Sequence, residues 1–128
     1  MTLSRLLAIA AVISLLYGAG FLLIPELLSS LYGMKSNPQS VLGFRYFGVT
    51  LVGLGLVAWF VKDSTDRSVT RGFLIAVSIS SVAGLLVSIW GTLSGIMNGM
   101  GWSAVLIYFL LLIGYLYFLL SPVSSPMR

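Results

Sequence analysis

The sequence predicts an all-α protein, an integral membrane four-helix bundle in which a short interfacial helix separates the first two spans. Three observations predict it. First, the 128 residues are 59% hydrophobic and only 8% charged, with a mean hydropathy of +1.08, against about 25% charged in soluble domains. Second, the chain runs free of charge over 6–24, 46–61, 72–101 and 102–120, and about 20 apolar residues cross roughly 30 Å of hydrocarbon. Third, the net charge of +4 sits at the edges of these windows, where basic residues set topology or meet lipid head groups, so nucleic acid is not expected as a partner.

The expected organisation is a single membrane domain over 1–128, with spans at about 4–24, 41–61, 72–97 and 102–120. The first span follows Arg5 and is too long for a cleaved leader, and LLYGAGF offers no A-x-A cleavage site; it is read as retained. After it, PELLSSLYG places Pro25 at a first helical position and Gly33 just past a helix end, with Leu27, Leu28, Leu31 and Tyr32 on one side, which predicts a short helix lying in the interface. Asn37-Pro38 repeats the cap-then-proline signature and opens the second span. A helix from Pro38 to Val61 is about 36 Å long, so Arg45 falls about one turn inside the hydrocarbon. The polar segment 62–71 offers Ser64 and Ser68 as caps for the third span. Asn98-Gly99-Met100-Gly101 marks the turn into the fourth, and the proline-containing tail that ends in Arg128 leaves the membrane. Arg5, Lys62, Arg67, Arg71 and Arg128 gather on one side, against Lys35 and Arg45 on the other, so both termini are read as cytoplasmic.

Candidate site residues fall in two groups. Arg45, in GFRYFGV, is a full charge between aromatics and glycines, and the one acid on its side is Glu26. A Glu26–Arg45 ion pair is the leading expectation, either as a clamp between the interfacial helix and the second span or with Arg45 as an anion anchor. In the third span, Gly72, Ala76, Ser80, Gly84, Ser88 and Thr92 recur every four residues, while Ser81, Gly84, Ser88, Gly91 and Gly95 follow alternating steps of three and four. Small residues at either spacing let helix backbones approach closely, which makes this span the expected centre of packing, whether inside one bundle, between copies, or as the lining of a polar space. Tyr108, about 9 Å along its helix from Trp102, needs a hydroxyl partner, and the serines of the third span are the expected ones.

Exclusions carry as much weight as motifs. Without cysteine there is no disulfide, thiol chemistry or cysteine-held metal, and without histidine the commonest ligand and general base is absent. No span carries an acid at mid-depth, so coupling to protons or ions has no group to act through. A multidrug exporter of the small type needs a glutamate in its first helix, and the 6–24 window has none. Fluoride channels share a glycine-and-Arg-Tyr pattern, but here it opens the second span, and the charge bias argues against dual topology. No cofactor is expected.

The order of an apolar first helix, Pro25-Glu26-Leu27-Leu28, Gly33, then Gly43-Phe44-Arg45-Tyr46-Phe47-Gly48 and Gly53-Leu54-Gly55 resembles a family of small bacterial four-helix membrane proteins of unknown function. That family is similar in layout to the DoxX-like superfamily. The resemblance implies a bundle in the bacterial inner membrane, with Arg45 at a position the family tends to fill with arginine. Because DoxX-like relatives include accessory subunits of quinone-linked oxidoreductases, it also implies a small subunit of a larger membrane complex. The expected function is therefore a non-catalytic accessory or scaffold subunit, packed through its third span against a second copy or a larger complex in the lipid bilayer. The alternative is a binder or passive conduit for a small lipophilic or anionic molecule, with Arg45 at the outer mouth and Tyr108 and the third-span serines lining its path.

Overall fold

The computed structural model describes residues 1–121; the tail beyond Ser121, Arg128 included, lies outside the described residues. Among them the chain forms five helices and no strand: α1 (Leu3–Leu23), α2 (Pro25–Leu31), α3 (Pro38–Val61), α4 (Arg67–Leu93) and α5 (Gly101–Leu120). All but α2 are long and apolar enough to cross a membrane.

Each boundary has a local cause. Thr2 caps α1 by accepting from the Arg5 amide. The helix stops at Ile24 because Pro25 has no N–H and its ring drives the preceding residue out of the helical region. Pro25 then opens α2, and Gly33, at φ +74°, closes it. There the Met34 amide donates to the Ser29 carbonyl and the Gly33 amide to that of Ser30, the paired bonds of a left-handed C-terminal cap. Asn37 and Ser40 cap α3 reciprocally, side chain to backbone, at 2.8 and 2.9 Å.

The third long helix differs from expectation at both ends. It begins at Arg67, and its cap is Asp66 rather than Ser64 or Ser68: the Asp66 carboxylate accepts from the Ser68 amide at 2.9 Å and the Ser68 hydroxyl at 2.8 Å. A carboxylate adds charge to the cap, which the helix dipole favours. The Ser68 hydroxyl, followed by the backbone amides of Ser68 and Val69, holds the exposed Asp66 carboxyl below its ordinary value. The helix ends at Leu93, short of 97, because Gly95 takes φ +83° and turns the chain early. At the same end of the bundle as Asp66, Lys62 pairs with Asp63 at 2.8 Å and lies over the Trp59 ring at 4.5 Å, while the Ser4 hydroxyl donates to Asp63. That end is called the Lys62 end below, and the opposite one the α2 end.

The four long helices form two intimate pairs. In the first, α1 meets α3 backbone to backbone. A Cβ added to Gly48 would come within 2.6 Å of the Leu22 amide nitrogen and 2.7 Å of the Gly18 carbonyl, one on Gly18 within 2.7 Å of the Val52 nitrogen, and one on Gly55 within 3.0 Å of the Ala11 carbonyl. Glycine is required at these positions because nothing larger fits. In the second pair α4 meets α5: the Tyr108 ring lies on Gly84, and Gly101 sits against the Thr92 side chain. The expectation that the third span is the centre of packing is thus corrected, since the closest backbone approach belongs to α1 and α3.

The pairs themselves are held further apart. No Cα of α1 lies within 8 Å of one in α4, nor any of α3 within 8 Å of one in α5, whereas α1–α5 and α3–α4 do approach within that distance. The helices therefore run around the bundle in the order α1, α3, α4, α5, with α1 and α4 on one diagonal. The hydrophobic core fills the Lys62 half of that diagonal: Leu3, Leu6, Leu7 and Ala10 from α1, Leu74 and Val77 from α4, and Tyr115 from α5, with Leu7 fully buried.

Candidate functional site

GFRYFG is a docking face for the end of α1. Phe44 and Phe47, three residues apart and so on one side of α3, hold Phe21 of α1 between them, with ring centroids at 5.8 and 5.2 Å. Gly48, one turn on from Phe44, removes the side chain that would keep α1 away. Arg45 reaches across, and its Nη1 donates to the Leu22 carbonyl at 2.6 Å. That carbonyl is in the last turn of α1, where the helix supplies no amide to bond it, and a cation there also offsets the negative end of the helix dipole.

This arrangement replaces the expected partner. Among the described residues the ion pair is Lys62–Asp63; Glu26 and Arg45 do not form one. Glu26 is exposed in the first turn of α2, where its charge suits that helix's positive end. The sequence offered a carboxylate as the obvious partner for a guanidinium. What it concealed was an orphan carbonyl created by the break before Pro25. Among the described residues the Leu22 bond is the only one Arg45 makes, and a guanidinium has five N–H donors, so the exposed group retains hydrogen-bonding capacity.

The small residues of α4 divide between two faces. Ser81, Gly84, Ser88 and Gly91 point inward: Ser81 and Ser88 are buried, Gly91 is buried beside the Met97 methyl, and Gly84 carries the Tyr108 ring. Gly72, Ala76 and Ser80 are exposed, and a Cβ on Gly72 would meet nothing within 4 Å. The contact between Tyr108 and α4 is therefore ring on glycine. The expected bond from its hydroxyl to Ser80, Ser81 or Ser88 is not made among the described residues, because the ring lies across Gly84 instead of pointing along the helix to a serine.

Two polar features were missed by sequence reasoning. At the α2 end, Tyr32 is 6% exposed, and its hydroxyl lies 3.4 Å from that of Tyr17 on α1 and 3.5 Å from the Ser103 hydroxyl on α5, both at the long limit of O–H···O geometry. Asn98 fixes this lid. Its amide donates to the Tyr32 carbonyl at 2.8 Å, its Nδ2 to the Leu31 carbonyl at 3.2 Å, and its Oδ1 accepts from the Met100 amide at 2.9 Å. The sequence placed Tyr32 on one side of an interfacial helix, and only tertiary structure brings it inward.

The second feature is a line of unbonded hydroxyls on α4. Thr70 and Thr92 donate to the carbonyl four residues back, the usual way to satisfy a hydroxyl inside a helix. Ser78 Oγ, by contrast, is buried without a partner. Ser81 and Ser88, 5% and 7% exposed, also make no side-chain hydrogen bond among the described residues. For Ser78, whose oxygen is itself buried, this costs about 1–3 kcal/mol. The three-four spacing was visible in the sequence; that its hydroxyls stay unbonded was not.

No curated protein and no solved structure matches the chain. A family model does, over residues 8–126, which takes in most of α1, all of α2 to α5 and the Arg45 motif. By that match the chain belongs to the family described as Domain of unknown function (DUF8292).

Proposed function

We propose that the protein is a non-catalytic integral membrane protein of the bacterial plasma membrane, with both termini cytoplasmic, that serves as an accessory or scaffold subunit and packs on a second copy or a partner chain through α4. The observation that carries this reading is the division of the small residues of α4 between an inward and an outward face. Gly84 carries the Tyr108 ring of α5 within the chain, while Gly72, Ala76 and Ser80, extended by Ala83, are exposed. In lipid there is no hydrophobic drive for helix pairing, so a face that admits close backbone approach is what favours association. The bacterial membrane and the tie to a larger complex are proposed from the resemblance in layout to the DoxX-like superfamily, and the orientation from the bias of basic residues.

The test uses the absence of native cysteine. Ala76→Cys or Ser80→Cys, oxidised in native membranes, is expected to give a cross-linked band, at twice the chain mass for a second copy or at another mass for a partner fitted with a matching cysteine. Phe109→Cys, exposed on α5, is expected to give none. Equal cross-linking from both helices, or none from α4, would overturn the reading.

A second reading, binding of a small lipophilic or anionic molecule, is supported by the exposed Arg45 guanidinium, held in place by one bond with its other donors uncommitted, and by the unbonded hydroxyls of α4.

A further inference from the structure

We propose that the outward edge of the Arg45 guanidinium binds the phosphate of an anionic phospholipid in the leaflet at the α2 end. This rests on the binder reading, whose ligand class it names, and is independent of whether the outer face of α4 finds a partner.

The guanidinium has a free edge with a fixed direction. Nη1 is committed to the Leu22 carbonyl, and Arg45 makes no other bond among the described residues. A guanidinium is planar and its nitrogens point away from one another, so the edge formed by Nε and Nη2 lies opposite Nη1 and faces away from α1. That edge carries two parallel N–H donors, the fork that fits two oxygens of a phosphate. The bond to Leu22 holds the fork in place before any ligand arrives, which lowers the entropy cost of binding.

The charge on that fork is not balanced from within the chain. Of the three acidic residues, Asp63 and Asp66 lie at the Lys62 end, and Glu26 forms no ion pair with Arg45 among the described residues. With α3 in a bilayer, Arg45 lies about one turn inside the hydrocarbon, where a guanidinium is paired or drawn to the interface. Its tie to α1 keeps it at that depth, so the counter-ion comes to it, and the anion available along this rim is the lipid phosphate. A lipid with no ammonium group of its own leaves that phosphate free to neutralise Arg45.

The surrounding surface suits a lipid. Leu42, Tyr46 and Val49 are 56%, 67% and 54% exposed, and their spacing puts them on the side of α3 that carries Arg45. Helical side chains lean toward the N-terminus, which brings Arg45 and Tyr46 toward the rim near Pro38. There a Cβ on Gly43 would meet nothing within 4 Å, so the surface between Arg45 and the head-group level is open. In the other direction, Val49 and Leu56 are exposed on either side of Gly53, where an added Cβ also meets nothing within 4 Å, a shallow apolar track for an acyl chain.

Native mass spectrometry of the full chain in a neutral detergent, titrated with phosphatidylglycerol, tests the proposal. The expected result is one saturable lipid, bound about tenfold more tightly than phosphatidylcholine. Arg45→Gln should weaken it by about tenfold, and Arg45→Lys, which keeps the charge and loses the fork, by nearly as much. Gly43→Leu fills the open surface and leaves the Leu22 cap in place; it should weaken the lipid comparably and serves alone if the Arg45 variants do not fold. Arg71→Gln, at an exposed arginine of the Lys62 end, should change nothing. Equal affinity for the two lipids, an equal loss from Arg71→Gln, or no loss from Arg45→Gln and Gly43→Leu would overturn the site. Displacement of the lipid by millimolar inorganic phosphate would make a free anion the ligand, overturning the lipid and leaving the binder reading standing. Saturable uptake of neither lipid nor inorganic phosphate by the unaltered chain would overturn the binder reading as well.

Discussion

Replacing Arg45 by leucine removes the donor that caps the Leu22 carbonyl and leaves the turn before Pro25 with an unanswered acceptor. A hydrogen bond to a charged group contributes about 1.5–3 kcal/mol. Since Arg45 is exposed, solvent screening brings the expected loss to or below the lower limit of that range, about 1–1.5 kcal/mol. Glu26→Gln should change thermal stability by less than about 0.5 kcal/mol, and the double variant should show no coupling beyond the sum. A coupling above about 1 kcal/mol in detergent melts would restore the ion pair in place of the cap. The motif was legible as unusual, and its depth in the helix was readable from the Asn37-Pro38 cap. Its partner was not, because an orphan backbone carbonyl has no side chain to announce it. The same blindness hid Tyr32, whose inward position depends on Asn98, 66 residues away in sequence, donating its backbone amide to the Tyr32 carbonyl.

At the scale of elements, glycines of similar appearance in the sequence separate by what surrounds them. A methyl at Gly48 would meet the Leu22 and Gly18 backbone, while one at Gly53 would meet nothing within 4 Å. Gly48→Ala is therefore expected to lower stability by about 1–3 kcal/mol through overpacking. Gly53→Ala should be neutral or stabilising by up to about 1 kcal/mol, because alanine is the better helix former. Melting both variants in one detergent checks the contrast; equal effects would mean that α1 and α3 do not meet as described. Helix number, order and most boundaries followed from charge-free windows, prolines and caps, since those are local effects. Which small-residue register turns inward is a tertiary choice, and α4 carries two registers that overlap at Gly84 and Ser88, so the sequence alone left both open.

For the whole molecule, the proposed orientation rests on the distribution of basic residues. Arg5, Lys62, Arg67 and Arg71 lie at the Lys62 end, against Lys35 and Arg45 at the α2 end. If the Lys62 end is cytoplasmic, as proposed, a membrane-impermeant maleimide should label Ser64→Cys only in inverted vesicles and Ser36→Cys in intact cells. The opposite pattern would reverse the orientation. The intimate contacts also divide the chain unusually cleanly: α1 and α3 complete each other within the first half, and α4 and α5 within the second. During synthesis the first pair can therefore close, with Arg45 sealing the end of α1, while α4 is still being made. The second pair then arrives as a finished hairpin, and the order of translation becomes the order of assembly.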